Sequence, residues 1–207
     1  SMLPRLMTAA REKCGVEDEI LILTATSGDT GKAAMAGFQD VPGTKIIVFY
    51  PYGGVSAVQQ RQMESQLGRN VCVCAVRGNF DDAQTGVKEI FAAVERQKLL
   101  ERKGVRLSSA NSINIGRLAP QVVYYFRSYA DLCRMGRVKV GDKVDFAVPT
   151  GNFGDILAGY FARELGLPVG RLVCASNANN VLTEFLRTGR YDRNRPFHTT
   201  MSPSMDI

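Results

Sequence analysis

Short apolar runs punctuate the chain, separated by longer stretches with mixed apolar and polar positions. The runs are Ile20 to Thr24, Lys45 to Tyr50, Val71 to Val76, Val144 to Val148 and Leu172 to Ala175. Their length and aliphatic, valine-rich content predict strands. Between them, Lys32 to Phe38, Asp81 to Lys98, Arg117 to Met135, Ile156 to Leu165 and Val181 to Arg187 predict helices. Asp81 or Asp82 stands near the start of the second of these, where acidic residues favour a helix N-terminus. Val55 to Leu67 is polar and Gln-rich with helix-forming residues, a strand-like segment precedes Ser108, and Gly136 to Asp142 is a turn region.

Strand and helix patterns in alternation predict an α/β fold with parallel sheet and βαβ units. The expected organisation is a smaller domain over residues 1–114 and part of a larger one over 115–207. In parallel sheets of this kind ligands bind beyond the carboxyl ends of the strands. Two glycine-bearing loops, residues 26–31 and 151–154, follow strands and precede helices, which puts them at that edge.

Bulk composition narrows the function classes. The 207 residues are 45% apolar and 22% charged, which suits a folded chain rather than a disordered one. No apolar run approaches the roughly 18 residues of a membrane span, and no signal-peptide pattern opens the sequence. The net charge of +6 is spread along the chain, with one small cluster at Arg134, Arg137 and Lys139. Aromatics do not interleave with it, so a nucleic-acid platform is disfavoured. A basic excess also suits an enzyme that handles phosphorylated substrates. Five cysteines without a Cys-x-x-Cys pair imply a reduced, cytoplasmic setting. Cys72 and Cys74 share one face of a strand, where two buried thiols are expected rather than a metal site.

Three segments carry candidate chemistry. In Thr26-Ser27-Gly28-Asp29-Thr30-Gly31, glycines permit close approach and a helix N-terminus attracts a carboxylate or phosphate. A nucleotide-binding Walker loop is excluded, because position 26 is Thr and Ala33 follows Lys32. A plain tight turn is the bland reading of this loop. Gly151-Asn152-Phe153-Gly154 could cradle a phosphate with backbone amides. Ser108 to Arg117 packs Asn111, Ser112, Asn114 and Arg117 into one stretch, with side-chain types suited to neutral hydrogen bonding and to a phosphate fork. Its bland reading is a polar turn with a helix cap.

Together these segments resemble the threonine synthases, within the tryptophan-synthase-β-like (fold type II) pyridoxal-phosphate enzymes. The resemblance runs through essentially all of the chain. Its most specific mark is Asn111-Ser112-Ile113-Asn114 with Arg117 and Gln121. Gly53-Gly54-Val55-Ser56, Gln59, Met63 and the terminal Ser202-Pro203-Ser204-Met205-Asp206-Ile207 also match. The resemblance implies three-layer parallel sheets with helices on both faces and pyridoxal 5'-phosphate as cofactor. It implies conversion of O-phosphohomoserine and water to threonine and phosphate, with a homodimer as the candidate assembly. Thr26, Ser27 and Thr30 would then hold the substrate carboxylate, and Asn111, Ser112 and Arg117 the substrate phosphate. Asp29 would face the cofactor's phenolic oxygen, where many relatives carry Asn. Gly151, Asn152, Phe153 and Gly154 would hold the cofactor phosphate, with no ligand role for Asp155.

The family's Schiff-base lysine, in a Phe-Lys-Asp motif, is expected just upstream of Ser1. The segment that meets the pyridine nitrogen is expected after the last residue. The sequence therefore reads as a fragment, inactive alone, and Lys32 is not a substitute for the lysine. The alternatives are another fold type II lyase, such as a serine or threonine dehydratase or a cysteine synthase, and a non-catalytic module derived from the fold. The first needs no clamp for a substrate phosphate.

Overall fold

The computed structural model describes residues 2–97, 100, 103–111, 114–149, 153–192, 194–196, 198–202 and 205. The chain forms two compact units, Ser1–Arg117 and Leu118–Ile207.

In the first unit, four strands form one parallel sheet: β1 (Glu19–Ala25), β2 (Thr44–Pro51), β3 (Val71–Val76) and β4 (Val105–Ser109). Their order is β3-β2-β1-β4. Side chains alternate between faces along a strand, and both faces are apolar here. Ile46, Val48 and Tyr50 of β2 enter one core with Ile22 of β1; Ile47 and Phe49 enter the other with Leu21, Leu23 and Ala25. Helices α1 (Met2–Lys13), α2 (Asp29–Phe38) and α3 (Ala57–Glu64) supply Leu3, Ala34, Met35, Phe38 and Met63 to the first core. Helix α4 (Phe80–Gln97) supplies Ala83 and Val87 to the second. Each large apolar side chain so buried contributes about 1.5–3 kcal/mol.

The chain runs outward from β1 through β2 to β3, then returns to the other side of β1 as β4. A right-handed crossover places its helix on opposite faces for opposite directions of travel, which is why α4 lies opposite α2 and α3. The point of reversal lies between β1 and β4, and ligands of open α/β sheets bind at the carboxyl ends of such a pair.

Several elements depart from expectation, and the strand Val169–Ala175 begins three residues before the Leu172 expected. Helix α1 was not anticipated, although Leu3, Met7 and Ala10 recur at helical spacing and Arg11 and Lys13 fill its last turn. Helix α2 begins at Asp29 rather than Lys32, for a reason given below.

Helix α5 (Ile115–Arg134) starts in the first unit and continues into the second. There β5 (Val144–Pro149) and β6 (Val169–Ala175) pair in parallel, and α6 (Gly154–Glu164) and α7 (Val181–Thr188) follow them. The core gathers Leu118, Tyr125, Tyr129, Val148, Ile156, Ala158 and Ala162. The Tyr125 ring meets Phe146 edge-on at 5.0 Å between centroids. A Cβ at Gly159 would lie 2.6 Å from that tyrosine ring, so the helix can pack here only with glycine. No helix among the described residues is long and apolar enough to cross a membrane.

Candidate functional site

The carboxyl end of β1 leads straight into residues 26–31. Thr26 is buried, and its hydroxyl oxygen accepts from Gly28 N–H at 3.0 Å and Gly31 N–H at 2.9 Å. Gly28 is the N-cap of α2, with φ of 128°, and carries no capping side chain. Thr26 therefore does from two residues upstream what an N-cap side chain does locally: it satisfies the amide of Gly31 in the first turn. That bond lets α2 start at Asp29. Ser27 and Thr30 are half-buried, Asp29 is exposed, and the positive end of the helix dipole sits at this turn.

A second helix end locks the loop. Ser56 and Gln59 form a reciprocal capping box on α3. The Gln59 amide nitrogen also donates to Asp29 Oδ1 at 2.8 Å, fixing that carboxylate. Glycine is required there by its φ of 128°, and a Cβ would also push the Gln59 amide, 2.5 Å away, off its place beside Asp29.

At the carboxyl end of β4, Asn111 reaches back to β1. Its Nδ2 donates to Ala25 O at 2.8 Å and its Oδ1 accepts from Ala25 N–H at 3.2 Å. Asn114 caps α5, with Oδ1 accepting from Gly116 N–H at 2.8 Å. Half-buried Arg117 donates from Nη1 to Ala110 O. The first unit thus brings Thr26, Ser27, Asp29, Thr30, Asn111 and Arg117 to the two strand ends that flank the reversal. The structure shows the amide of Asn111 engaged with backbone, a partner 86 residues away that spacing could not reveal.

In the second unit Phe153 is the N-cap of α6 with φ of 59°, a left-handed conformation uncommon outside glycine. Phe153 offers no capping acceptor, so the first-turn amides of α6, including that of Gly154, form an end that suits an anion. Asp155 in that turn accepts from the Tyr125 hydroxyl, at 2.8 Å on its carbonyl and 3.2 Å on Oδ1. Burial, then the Asp155 charge and hydrogen bond, pushes the Tyr125 hydroxyl well above the usual phenol range. Ser112, Gly151 and Asn152, with the terminal Pro203, Ser204, Asp206 and Ile207, lie outside the described residues.

A further polar cluster follows β6 and was not foreseen. Buried Asn179 donates to His198 O at 2.8 Å and accepts from His198 N–H at 2.9 Å. Asn177 donates to Thr200 at 2.9 Å. The visible signal was the repeated asparagine in Ser176-Asn177-Ala178-Asn179-Asn180. Cys72 and Cys74 do share a face, with sulfurs 3.9 Å apart, but Cys72 is exposed and Cys74 half-buried. They lie on β3 at the sheet edge, so burial on both sides does not reach them. Lys32, on α2, donates to Gln66 Oε1, just past the end of α3.

No family model matches the chain. Threonine synthase from Pseudomonas aeruginosa is 45% identical over 206 residues, 100% of this chain and 41% of that protein. The crystal structure of PLP-bound threonine synthase from Brucella melitensis matches with a TM-score of 0.80 at 43% identity, over 99% of this chain and 41% of that one. Along its whole length the chain is a homologue of threonine synthase. Human "Threonine synthase-like 1" is also 45% identical, over 194 residues, covering 90% of this chain and 26% of that protein. The chain therefore spans less than half of the threonine synthases it matches. The α/β fold is that of the fold type II pyridoxal-phosphate enzymes, as the sequence resemblance implied.

Proposed function

We propose that this chain forms the substrate-binding and cofactor-phosphate-binding part of a threonine synthase, a lyase that uses pyridoxal 5'-phosphate. It would convert O-phosphohomoserine and water to threonine and phosphate. The observation that carries the reading is the pairing of two polar segments, Thr26–Gly31 and Asn111–Arg117, at the carboxyl ends of β1 and β4 where the sheet order reverses.

Ser27 and Thr30, with the first-turn amides of α2, receive the substrate carboxylate on the positive end of the helix dipole. Thr26 shapes that turn from beneath. Asn111, Ser112 and Arg117 hold the substrate phosphate; a guanidinium already steadied by Ala110 O loses little freedom on binding it. Residues 151–154 hold the cofactor phosphate, supported by the left-handed entry to α6 at Phe153, whose side chain makes no capping bond. Asp29, steadied by Gln59, faces the cofactor's phenolic oxygen. Bound cofactor supplies an electron sink that acidifies hydrogens on the substrate carbons. We assign residues 1–114 to part of the smaller domain and 115–207 to part of the larger. Five free thiols fit a reducing, cytoplasmic setting.

The second reading is another fold type II lyase, because a relative of equal identity carries the name threonine synthase-like. The deciding experiment follows phosphate release and threonine formation from O-phosphohomoserine by the complete protein with pyridoxal phosphate. Arg117→Gln should weaken use of that substrate roughly 10- to 100-fold, the value of a charge-assisted hydrogen bond. No effect of Arg117→Gln would sink the phosphate role, and ammonia release from L-serine in place of phosphate release would establish the dehydratase.

A further inference from the structure

We propose that Cys72 and Cys74 form a two-thiolate binding site for a soft, thiophilic ion, cuprous copper, on the edge strand β3. Residues two apart on a strand point to one face, with Cα atoms about 6.6 Å apart. Here the two sulfurs converge to 3.9 Å. Both thiols are free, Cys72 exposed and Cys74 half-buried. The core on the α4 side gathers residues of β1, β2 and β4 and stops short of β3. Val71 and Val73 of the same strand pack into the opposite core. Ile47 and Phe49 of β2 stand in register beside Cys72 and Cys74. The pair is therefore open to solvent at Cys72 and backed by apolar side chains, with no carboxylate or imidazole on the neighbouring strand positions.

The spacing suits one shared ion. With metal–sulfur bonds of about 2.3 Å, a 3.9 Å gap subtends roughly 116° at the metal, between the tetrahedral and trigonal angles. Neither side chain has to move. The donor set then selects the ion. Structural zinc takes four protein ligands and catalytic zinc three, and no group of three His, Cys, Asp or Glu is placed for a metal among the described residues. Two thiolates alone suit cuprous copper, which sulfur ligands favour and which is content with few of them. Binding forms two Cu–S bonds and breaks two S–H bonds. Both protons pass to solvent and copper stays cuprous, so no oxidant or reductant enters.

The rival fate of such a pair is a disulfide. Disulfides favour Cα separations of about 5.5–6 Å, shorter than two residues of extended strand. β3 is held to β2 from Val71 to Val76, and that ladder opposes the closure and keeps both thiols available. The pair also stands apart from the substrate loops. β3 lies two strands away from β1, whose end carries Thr26–Gly31, so an ion on the thiols leaves that turn untouched.

The test titrates the complete, reduced protein without oxygen, using cuprous ion held by a competing coloured chelator, with zinc added afterwards. Iodoacetamide alkylation and peptide mapping then report which thiols the ion covers. Cys72 and Cys74 should be protected together, while exposed Cys14 stays open to the reagent. Cys72→Ser and Cys74→Ser should each weaken copper binding at least about 100-fold, since losing a direct ligand exceeds the 10- to 100-fold cost of losing a ligand's support. Cys14→Ser should match wild type, and zinc, short of its usual ligands, should not displace the copper. Copper left with the chelator and both thiols open would overturn the proposal. So would serine variants of wild-type affinity, equal protection of Cys14, or displacement by zinc. The mapping is done on wild type, so it decides the matter even where a serine variant fails to fold.

Discussion

Replacing a helical glycine by alanine ordinarily stabilises, and two glycines of this chain should respond with opposite signs. Gly86 lies within α4 with open space around its missing Cβ. Gly86→Ala should gain about 0.8–1.0 kcal/mol from helix propensity alone. Gly31 lies in the first turn of α2, and a Cβ there would stand 2.6 Å from Thr26 Cγ2, 2.7 Å from Val48 Cγ1 and 3.0 Å from Met63 Sδ. None of the three can yield cheaply. Val48 and Met63 are fully buried, and Thr26 is tied to two backbone amides. Overpacking of this kind costs about 1–3 kcal/mol, which outweighs the propensity gain and leaves a net loss of up to about 2 kcal/mol. Urea unfolding followed by far-ultraviolet circular dichroism reads the difference. With a slope of about 2 kcal/mol per molar, Gly86→Ala should raise the midpoint by about half a molar and Gly31→Ala should lower it by up to about one molar. A raised midpoint for Gly31→Ala would refute the claim that α2 is pressed against Thr26, Val48 and Met63.

Other substitutions probe separate contacts. Gly28→Ala combines a φ of 128° with a Cβ 2.5 Å from the Gln59 amide, and should cost about 1–3 kcal/mol in the same assay; wild-type stability would show that the loop is not tight. Asn79 and Asp82 cap α4 reciprocally, at 2.8 and 2.9 Å, so Asn79→Ala should cost about 0.5–2 kcal/mol, and an unshifted midpoint would remove the cap from the account. The Arg171 backbone N–H, and then its side chain, hold the Asp145 carboxyl below the usual range. A depressed carboxylate stabilises above its unfolded pKa of about 3.9 and loses that stabilisation as pH falls through its folded value. The advantage of wild type over Asp145→Asn should therefore be present at neutral pH and fade in acid, and an advantage that grows in acid would reverse the assignment.

The strands were the most legible part of the fold. Val71–Val76 is an unbroken apolar run bounded by Asn70 and Arg77, and it matches the strand observed to the residue. Helix α2 was read three residues short, because the group that satisfies its first turn is Thr26, on the strand, and not an adjacent capping residue. Helix α1 carries helical spacing at Leu3, Met7 and Ala10, but its first turn holds no acidic residue to mark a start. At the site, residue types announced hydrogen bonding but not its direction. Asn111 reads as a ligand, and its second part as a strut shows only when the turn after β4 brings it beside Ala25. The role of Asn179 was hidden for the same reason, since its partner His198 lies across an irregular segment.

The strand order also imposes a schedule on the growing chain. β1 and β2 can pair as soon as residue 51 exists, yet the other edge of β1 waits for β4, which ends at Ser109. At about 5–20 residues per second, synthesis leaves that edge open for several seconds, a template for strand addition by a neighbouring chain. The loop after β1 is made first and completed last, since Thr26 is in place long before Asn111 arrives to close the final rung beside it. A nascent chain stalled before β4 would hold a nearly whole sheet, an unfinished loop and one sticky edge.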